Sequence, residues 1–577
     1  MIRLGVNCVY HESSACLLRD GEVVAFVEEE RANRVKHAKA ARVDNPHQLP
    51  QQAIALCLQI AGIDFDAIDA IGISFAASGR HLDPAVQEPV RENDFGSAAG
   101  EATFAACFAR LPVELARLGR RPLDGRLRFV PHHLAHAASA FVLSPFAEAA
   151  VLILDGIAEN ESTWAGTGRG DVLAPCFTFP YPHSLGFLWE KLALFLGFTE
   201  YDACKVMGLA AYGDPARFRA AMAQLLAVDP AGSFRVDLAR SRFRSDDHGP
   251  LAGLFGPPRP RGGEILDHHR DVAAALQAAT EETVLAIARR LHRETGASRL
   301  AYAGGVALNC VANTRLLREG PFAELFLQPA ANDAGTALGA ALLAGGPDAA
   351  GAWRVTAPRP APLTHPYWGP GYDPAAIDAA IAAHGLTARR LDDPAATAAA
   401  MVAAGQVVGW FQGRMELGPR ALGHRTLLGD PRRADMREIL NRKVKHREPF
   451  RPFAPSVLAE EAPTWFDMPA PLPQPAEYML MAFPTRPEKR ALIPAVLHVD
   501  GTARIQAVRR ETEPLYHRLI SQFFALTGVP LVLNTSFNDS EPIVMSPEHA
   551  LATFSKTGID AVVLGDRLVA KDHVRPA

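Results

Sequence analysis

Pro131-His132-His133-Leu134-Ala135-His136-Ala137 leads into the apolar run Ala150-Val151-Leu152-Ile153-Leu154, which ends in Asp155-Gly156. His132 and His136 are four positions apart, so on a helix both imidazoles lie on one face and can meet one ion. The run reads as a buried strand. Asp155 sits where it passes into its loop, the usual place for a carboxylate aimed into a cleft. Two imidazoles and a carboxylate suit a transition metal: iron, with zinc or manganese as alternatives. Histidines at this spacing are more often ordinary core or surface residues than ligands. A second acid in a similar setting, Asn332-Asp333-Ala334-Gly335, which also leads into a helix, shifts that balance. The candidate ligands are therefore His132, His136, Asp155 and Asp333.

Toward the N-terminus, residues 2–30 read as strand, turn, strand: Ile2–Val9, the polar break from Tyr10 to Ser14, Ala15–Arg19, Asp20-Gly21 and Glu22–Glu28. Asp-Gly between two apolar runs is a strong hairpin signal. A helix over about 48–62 and a strand from Ala70 to Phe75 follow. Hairpin, helix and strand in this order form the pattern of a ribonuclease-H-like layer, as in the sugar kinase and actin group. Asp155-Gly156 opens a further strand set with Gly166 and Gly168 beyond it, which reads as the second half of a duplicated fold. Residues 80–127 are rich in helix formers and read as an inserted helical piece. Residues 270–295 form a long amphipathic helix. Then Leu300 to Asn309 carries a buried strand through Gly304-Gly305 into a helix, where backbone N–H groups can approach an anion.

Gly345–Asp373 is dense in Gly, Pro and Ala without periodicity and is the best linker. Residues 374–577 again alternate helix and strand. The expected organisation is an α/β chain with one domain over 1–350, a linker over 351–373 and a second domain over 374–577. The second domain has its own anion signal. Between Arg414 and Arg451 eleven Lys/Arg stand against five Asp/Glu, a local +6 inside a chain of formal charge −4. Solvated basic faces are commoner than anion sites. Here the cations are interleaved with Gly, Pro and Phe, which suits a walled pocket that grips phosphate or carboxylate oxygens in pairs. Asn534-Thr535-Ser536-Phe537-Asn538, after a strand from Val529 to Leu533, adds amide and hydroxyl donors.

At 577 residues the chain exceeds one compact core, and 48% apolar with 21% charged residues is ordinary for a soluble enzyme. The net charge of −4 argues against a nucleic-acid partner. Seven scattered cysteines without a CxxC pair favour reduced thiols and a cytoplasmic location. No apolar run approaches the ~20 residues of a membrane helix, and no leader signal precedes the first strand.

The ordered motifs Glu28-Glu-Glu-Arg31, Arg34-Val-Lys-His37, His132-His-Leu-Ala-His136, Lys205-Val-Met-Gly-Leu209, Gly304-Gly-Val-Ala-Leu-Asn309, Asn332-Asp-Ala-Gly335, Gly418-Pro-Arg-Ala-Leu-Gly423, Phe450-Arg-Pro-Phe-Ala-Pro455 and Leu533-Asn-Thr-Ser-Phe-Asn538 resemble, over essentially the whole length, the NodU/CmcH family of O-carbamoyltransferases. The resemblance implies an actin-like, threonylcarbamoyl-transferase-like N-terminal domain and a YrdC-like C-terminal domain. It implies that the C-terminal domain makes carbamoyl-adenylate from carbamoyl phosphate and ATP with Mg2+. The intermediate then passes to the N-terminal domain, where a metal, usually Fe2+, holds it while a hydroxyl of a small natural product or sugar attacks. A homodimer is compatible with this reading.

Carried onto matching positions, the resemblance makes His132, His136, Asp155 and Asp333 metal ligands. Gly156, Gly304, Gly305 and Asn309 would contact carbamoyl-adenylate. Arg420, Arg425, Lys445, Arg447, Arg451, Arg504, Asn534 and Ser536 would contact carbamoyl phosphate or nucleotide. His11 on the first turn is placed to donate to the carbamoyl oxygen, and Lys445 and Arg451 take catalytic roles in the first step. Three departures from the family pattern fall at Glu12, Ala158 and Ala203-Cys204; they leave the ligands intact and the general base unassigned. Residues 80–127 and 235–270 are the expected lining of the acceptor pocket. Two alternatives share parts of this pattern, a tRNA threonylcarbamoyladenosine synthase and a non-catalytic nucleotide-binding regulator. The net charge argues against the first, and two anion sites with four ligands argue against the second.

Overall fold

In the computed structural model, which describes residues 1–80, 90–349 and 351–571, Asp20 and Gly21 both adopt positive φ, 53° and 94°. That is the backbone of a tight hairpin turn, and it accounts for Asp-Gly at this point. The turn joins β2 (Ser14–Arg19) to β3 (Glu22–Glu28), and β2 also pairs antiparallel with β1 (Ile2–Asn7). On the other side of β1, β4 (Ala70–Ile73) and β5 (Leu127–Phe129) run parallel. The sheet order is thus β3-β2-β1-β4-β5.

The pattern repeats. β6 (Glu148–Leu154), β7 (Glu161–Arg169) and β8 (Val172–Pro180) pair antiparallel in sequence. After the small hairpin of β9 (Leu226–Asp229) and β10 (Ser233–Val236), β11 (Arg299–Ala303) and β12 (Glu324–Leu327) add parallel beside β6. The second order, β12-β11-β6-β7-β8, is the first one over again. The repeated order is the duplication that the opening hairpin and Asp155-Gly156 lead one to expect.

Between the two sheets lie two buried helices. His132–Leu143 packs on β6 and β11, and Thr336–Leu342 packs on β1, β2 and β4. Every residue of both is buried. Helices buried on every side lie within a core. They cross tightly: a Cβ at Gly339 would stand 1.8 Å from the Ala135 carbonyl oxygen, and one at Gly5 1.8 Å from the Ala337 carbonyl oxygen. Gly339→Ala must separate the helices beside His132 and His136. It is expected to destabilise by about 1–3 kcal/mol or more through overpacking and to lower metal retention. Thermal unfolding and metal analysis check this; an unchanged midpoint would contradict the tight crossing.

Within the span read as an inserted helical piece, Ala98–Phe108 and Leu111–Ala116 are helical, while residues 81–89 lie outside the described residues. The long helix is Asp267–Thr295. The Gly/Pro-rich stretch is bound down more than its composition suggests. Arg359 donates to the carbonyls of Phe141, Val142, Ser144 and Phe146, the open C-terminal end of the histidine helix, and Leu363 N–H donates to Leu143 at 2.9 Å. Composition marks a break in periodicity. It says nothing about whether a cation in the stretch finds orphan carbonyls to fasten on.

By contact the chain forms two units, Met1–Glu29 with His37–Leu363, and Glu30–Lys36 with Thr364–Ala577. Arg31 and Arg34 account for the exchange: they donate to the carbonyls of Gly418 (2.8 Å) and Ile543 (2.7 Å). The second unit is built on β13 (Arg389–Arg390), β14 (Val408–Phe411), β15 (Arg425–Gly429) and β16 (Ala454–Leu458), with a separate pair, β17 (Ala482–Pro484) and β18 (Thr502–Arg504). It is completed by β19 (Gln506–Val508), β20 (Leu531–Ser536), β21 (Ala561–Leu564) and β22 (Arg567–Ala570). The main sheet is mixed, in the order β13-β22-β21-β14-β15-β20-β16-β19. No helix among the described residues is long and apolar enough to cross a membrane.

Candidate functional site

The histidine helix begins at His132 behind Pro131, which offers no side-chain cap. Its first N–H, that of His132, looks instead to a distant acid. The Glu159 carboxylate accepts from His132 N–H at 3.1 and 3.2 Å and from Ala76 N–H at 2.8 Å. A carboxylate at a helix N-terminus satisfies orphan donors and meets the positive end of the helix dipole. This role for Glu159 was not read from the sequence; its only signal is an acid close after the Asp155 turn.

From that anchored turn His132 and His136 project side by side, ring centroids 4.8 Å apart. Asp155 enters from the end of β6, and Asp333 from the turn that precedes Thr336–Leu342. His132 Nε2 lies 3.4 Å from Asp155 Oδ2 and 3.5 Å from Asp333 Oδ1; the His136 Nε2 distances are 3.4 and 3.6 Å. One donor atom from each residue lies within 4.8 Å of the other three, and all four residues are buried. His132 Nδ1 donates to the Ser74 carbonyl at 3.0 Å, which directs its Nε2 lone pair toward the acids. Among the described residues, neither ring nitrogen of His136 nor Nε2 of His132 has a hydrogen-bond partner. Gly305 N–H holds the other Asp155 oxygen at 3.0 Å.

The electrostatics fit a cation at the centre. Burial works against charge on Asp155, but His132 and His136 outweigh it and hold the carboxyl well below the usual range. Burial likewise opposes a charged His132, yet Asp333 and Asp155 raise its pKa well above the ordinary value. Two imidazole Nε2 atoms without hydrogen-bond partners among the described residues, converging with two buried carboxylates, fit a divalent transition metal. His133, on the flank of the same helix, is pushed down to about 3 by burial and stays neutral; its Nε2 is 4.0 Å from Asp155.

His11 stands beside this group, Nδ1 3.9 Å from Asp333 Oδ2. Its loop is braced by Asn7 Nδ2, which donates to the carbonyls of His11 and Glu12, both at 3.0 Å. Glu12, at φ 53°, bonds His37 at 2.6 Å, and His37 stacks on Tyr201 at 4.4 Å. The Tyr201 ring meets His11 edge-on at 5.6 Å.

Other candidates take different parts. Gly305 N–H is engaged by Asp155 and Gly304 N–H by the Ala331 carbonyl at 2.8 Å, so neither amide is free for an anion. Asn309 caps the helix Cys310–Glu319 and exchanges two hydrogen bonds with Gln277. Gly305 thus braces Asp155, Gly304 lies against the Leu154 carbonyl, and Asn309 is a helix cap. Gly156 is the exception. It lies at the pocket wall under the Phe187 ring, which a Cβ there would meet at 3.4 Å.

In the second unit, Arg425 is fully buried, and its guanidinium donates to carbonyls of Gln412, Gly413, Pro370, His424 and Met545 beside the Phe411 ring. It is a structural cation and not a phosphate ligand. The sequence shows the charge but not the carbonyls that consume it. Asn534 is interior too, donating to Ala421, Ser456 and Gln506. Lys445 reaches Ser536 and Asn538, while Arg447 and Arg451 both press on its charge. Arg447 lies over Phe453 at 4.2 Å, and the Arg451 guanidinium makes a loose contact with Glu448 at 3.7 Å. Lys445, Arg447, Arg451 and Ser536 therefore form one cluster. Arg420 is joined to Asn534 only through its neighbour Ala421, and Arg504 closes β18.

A profile described as carbamoyltransferase N-terminus matches residues 2–342, and one described as carbamoyltransferase C-terminus matches residues 399–571. The chain is 40% identical over 575 residues to nodulation protein NolNO of Sinorhizobium fredii, covering 99% of this chain and 80% of that protein. It is 38% identical over 622 residues to an uncharacterized protein of Synechocystis, covering 98% and 96%. It is 32% identical over 385 residues to the 3'-hydroxymethylcephem-O-carbamoyltransferase of Amycolatopsis lactamdurans, covering 63% and 64%.

Proposed function

The chain belongs to the carbamoyltransferase family and is an enzyme that transfers carbamoyl groups, and from that premise we propose a two-step reaction divided between its two units. The C-terminal unit, which we read as YrdC-like on its mixed sheet, converts carbamoyl phosphate and ATP with Mg2+ into carbamoyl-adenylate. The N-terminal unit transfers the carbamoyl group to a hydroxyl of a small natural product or sugar. The observation that carries this reading is chemical contrast: a buried pair of imidazoles and carboxylates in one unit, and a cluster of guanidinium groups around Lys445 in the other.

A carbamoyl carbon is a poor electrophile because its nitrogen donates into the carbonyl. Water cleaves carbamoyl phosphate to carbamate and inorganic phosphate, and a carbamate oxygen then displaces pyrophosphate from the α-phosphorus of ATP, giving a mixed anhydride with a better leaving group. Arg447 and Arg451 offset charge on the reacting phosphates, with Arg420 and Arg504 as further cations. Lys445 holds the Ser536–Asn538 loop in place. In the N-terminal unit His132, His136, Asp155 and Asp333 would hold iron, manganese or zinc. Such an ion, when bound, supplies Lewis-acid polarisation of an oxygen. His11 donates to the carbamoyl oxygen from its braced turn.

The test is incubation with ATP, Mg2+, ferrous iron, carbamoyl phosphate and a panel of hydroxylated sugars and natural products. Pyrophosphate release that requires carbamoyl phosphate, and an acceptor heavier by one carbamoyl group, are expected. Release that ignores carbamoyl phosphate sinks the first step. Arg451→Ala should lower carbamoyl-phosphate-dependent release by about a hundredfold or more, the usual cost of one charge-stabilising donor, with metal content unchanged.

A further inference from the structure

The helix Leu185–Phe195 is fastened at its first turn to the backbone of a candidate metal ligand. Ser184 Oγ donates to the Asp155 carbonyl at 3.1 Å and accepts from Phe187 N–H at 3.2 Å. Gly186 lies so close that a Cβ there would stand 2.8 Å from Gly156 Cα and 3.0 Å from the Asp155 carbonyl carbon. Residues four apart share a helix face. Glu190 therefore stands one turn along, on the side that Gly186 turns toward Asp155.

Glu190 is half-buried, and its carboxyl has no hydrogen bond or ion pair among the described residues. The charged groups that reach it are His11, Arg244, Glu200 and Asp155; burial dominates and pushes its pKa up to about 7. The wall beside it is aromatic. Phe187 and Phe243 stack at 4.6 Å with planes 12° apart, and Tyr181 meets both edge-on. Arg244 is packed among Phe95, Phe187 and Phe243 at 5.2, 4.8 and 5.2 Å. No aspartate or glutamate among the described residues pairs with it. A carboxyl held near neutrality in a partly dry, aromatic-walled position, with no structural bond to make, matches what a general base requires.

We propose that Glu190 is the group that takes the proton from the acceptor hydroxyl. The step rests on the two-step reading above. The acceptor oxygen bonds to the carbamoyl carbon of the adenylate as its proton passes to the Glu190 carboxylate. The bond from that carbon to the phosphate oxygen breaks, and AMP leaves with the electron pair. Because the carboxylate is the active form, transfer rises with pH through about 7 and falls as the group is protonated below it.

The experiment uses the full chain with its metal and reads both half-reactions from pH 5.5 to 8.5, an interval of roughly 1.5 either side of that value. Glu190→Gln should keep carbamoyl-phosphate-dependent pyrophosphate release within about twofold. It should lose about a hundredfold or more of transfer, the ordinary contribution of a general base, together with the acid limb of the pH profile. Glu190→Asp should keep that limb at a reduced rate, which a merely structural role would not explain; it also decides the matter if Glu190→Gln folds poorly. Transfer by Glu190→Gln at the unaltered rate, with the limb intact, overturns the assignment of Glu190 alone. Absence of carbamoyl-phosphate-dependent release in the unaltered enzyme overturns the two-step reading, and this assignment with it.

Discussion

Replacing His136 by alanine should abolish carbamoyl transfer while leaving carbamoyl-adenylate formation intact. His136 Nε2 lies 3.4 Å from Asp155 and 3.6 Å from Asp333, and neither of its ring nitrogens has another partner. No structural bond is therefore lost with it. What disappears is one of four convergent donors, and the two carboxylates are left facing a single imidazole. A Lewis-acid site contributes several kcal/mol to transition-state stabilisation, so transfer should fall by about a thousandfold or more. Metal content of the purified protein should fall in parallel, while pyrophosphate release that depends on carbamoyl phosphate stays near the unaltered rate. Full metal content with full transfer in His136→Ala would remove the metal centre from the mechanism.

Lys445→Ala should give the complementary loss. The ammonium group donates to Ser536 O and Oγ and to Asn538 O and Oδ1 at 2.5–3.2 Å, four acceptors for its three protons. Burial, then Arg447 and Arg451, hold its pKa well below the ordinary lysine value. Removing it strands buried carbonyls at about 1–3 kcal/mol apiece and frees the loop that carries Ser536. Adenylate formation should fall below detection with bound metal retained, measured as carbamoyl-phosphate-dependent pyrophosphate release and as metal content. Comparison with Arg451→Ala separates two causes. Lys445→Ala should also lower thermal stability, whereas Arg451→Ala, whose only ion pair among the described residues is the loose contact with Glu448, should not. If His136→Ala and Lys445→Ala lose the same half-reaction, the division of labour between the units is wrong.

Much of the N-terminal architecture was readable because its signals are local. Asp20-Gly21 specifies a hairpin turn through backbone sterics, and the apolar run before Asp155 marks a strand wherever it lies in space. The spacing of His132 and His136 sets a common face through helix geometry alone. The C-terminal cations were harder to sort, since a guanidinium looks the same in sequence whether it meets phosphate or carbonyl oxygen. Arg425 and Arg451 sit in similar company of Gly, Pro and Phe, yet the first is enclosed and saturated while the second is partly exposed with a loose contact to Glu448. Gly304, Gly305 and Asn309 posed the same difficulty. Their motif signals close backbone approach, but the partner approached is the Asp155 turn.

Residue order by itself determined the strand-turn repeats, the shared face of the two histidines, and the placing of each candidate acid at a loop. Those properties depend on bond geometry and on neighbours a few positions away. Tertiary structure alone decided that Asp155 and Asp333, far apart in the chain, close on the same pair of nitrogens. It also decided that Glu159 caps the histidine helix and that Arg425 and Lys445 turn their charges inward. The reason is physical: a charge or a lone pair acquires its role from the donors, acceptors and solvent within a few ångströms, and the folding of distant segments chooses those neighbours.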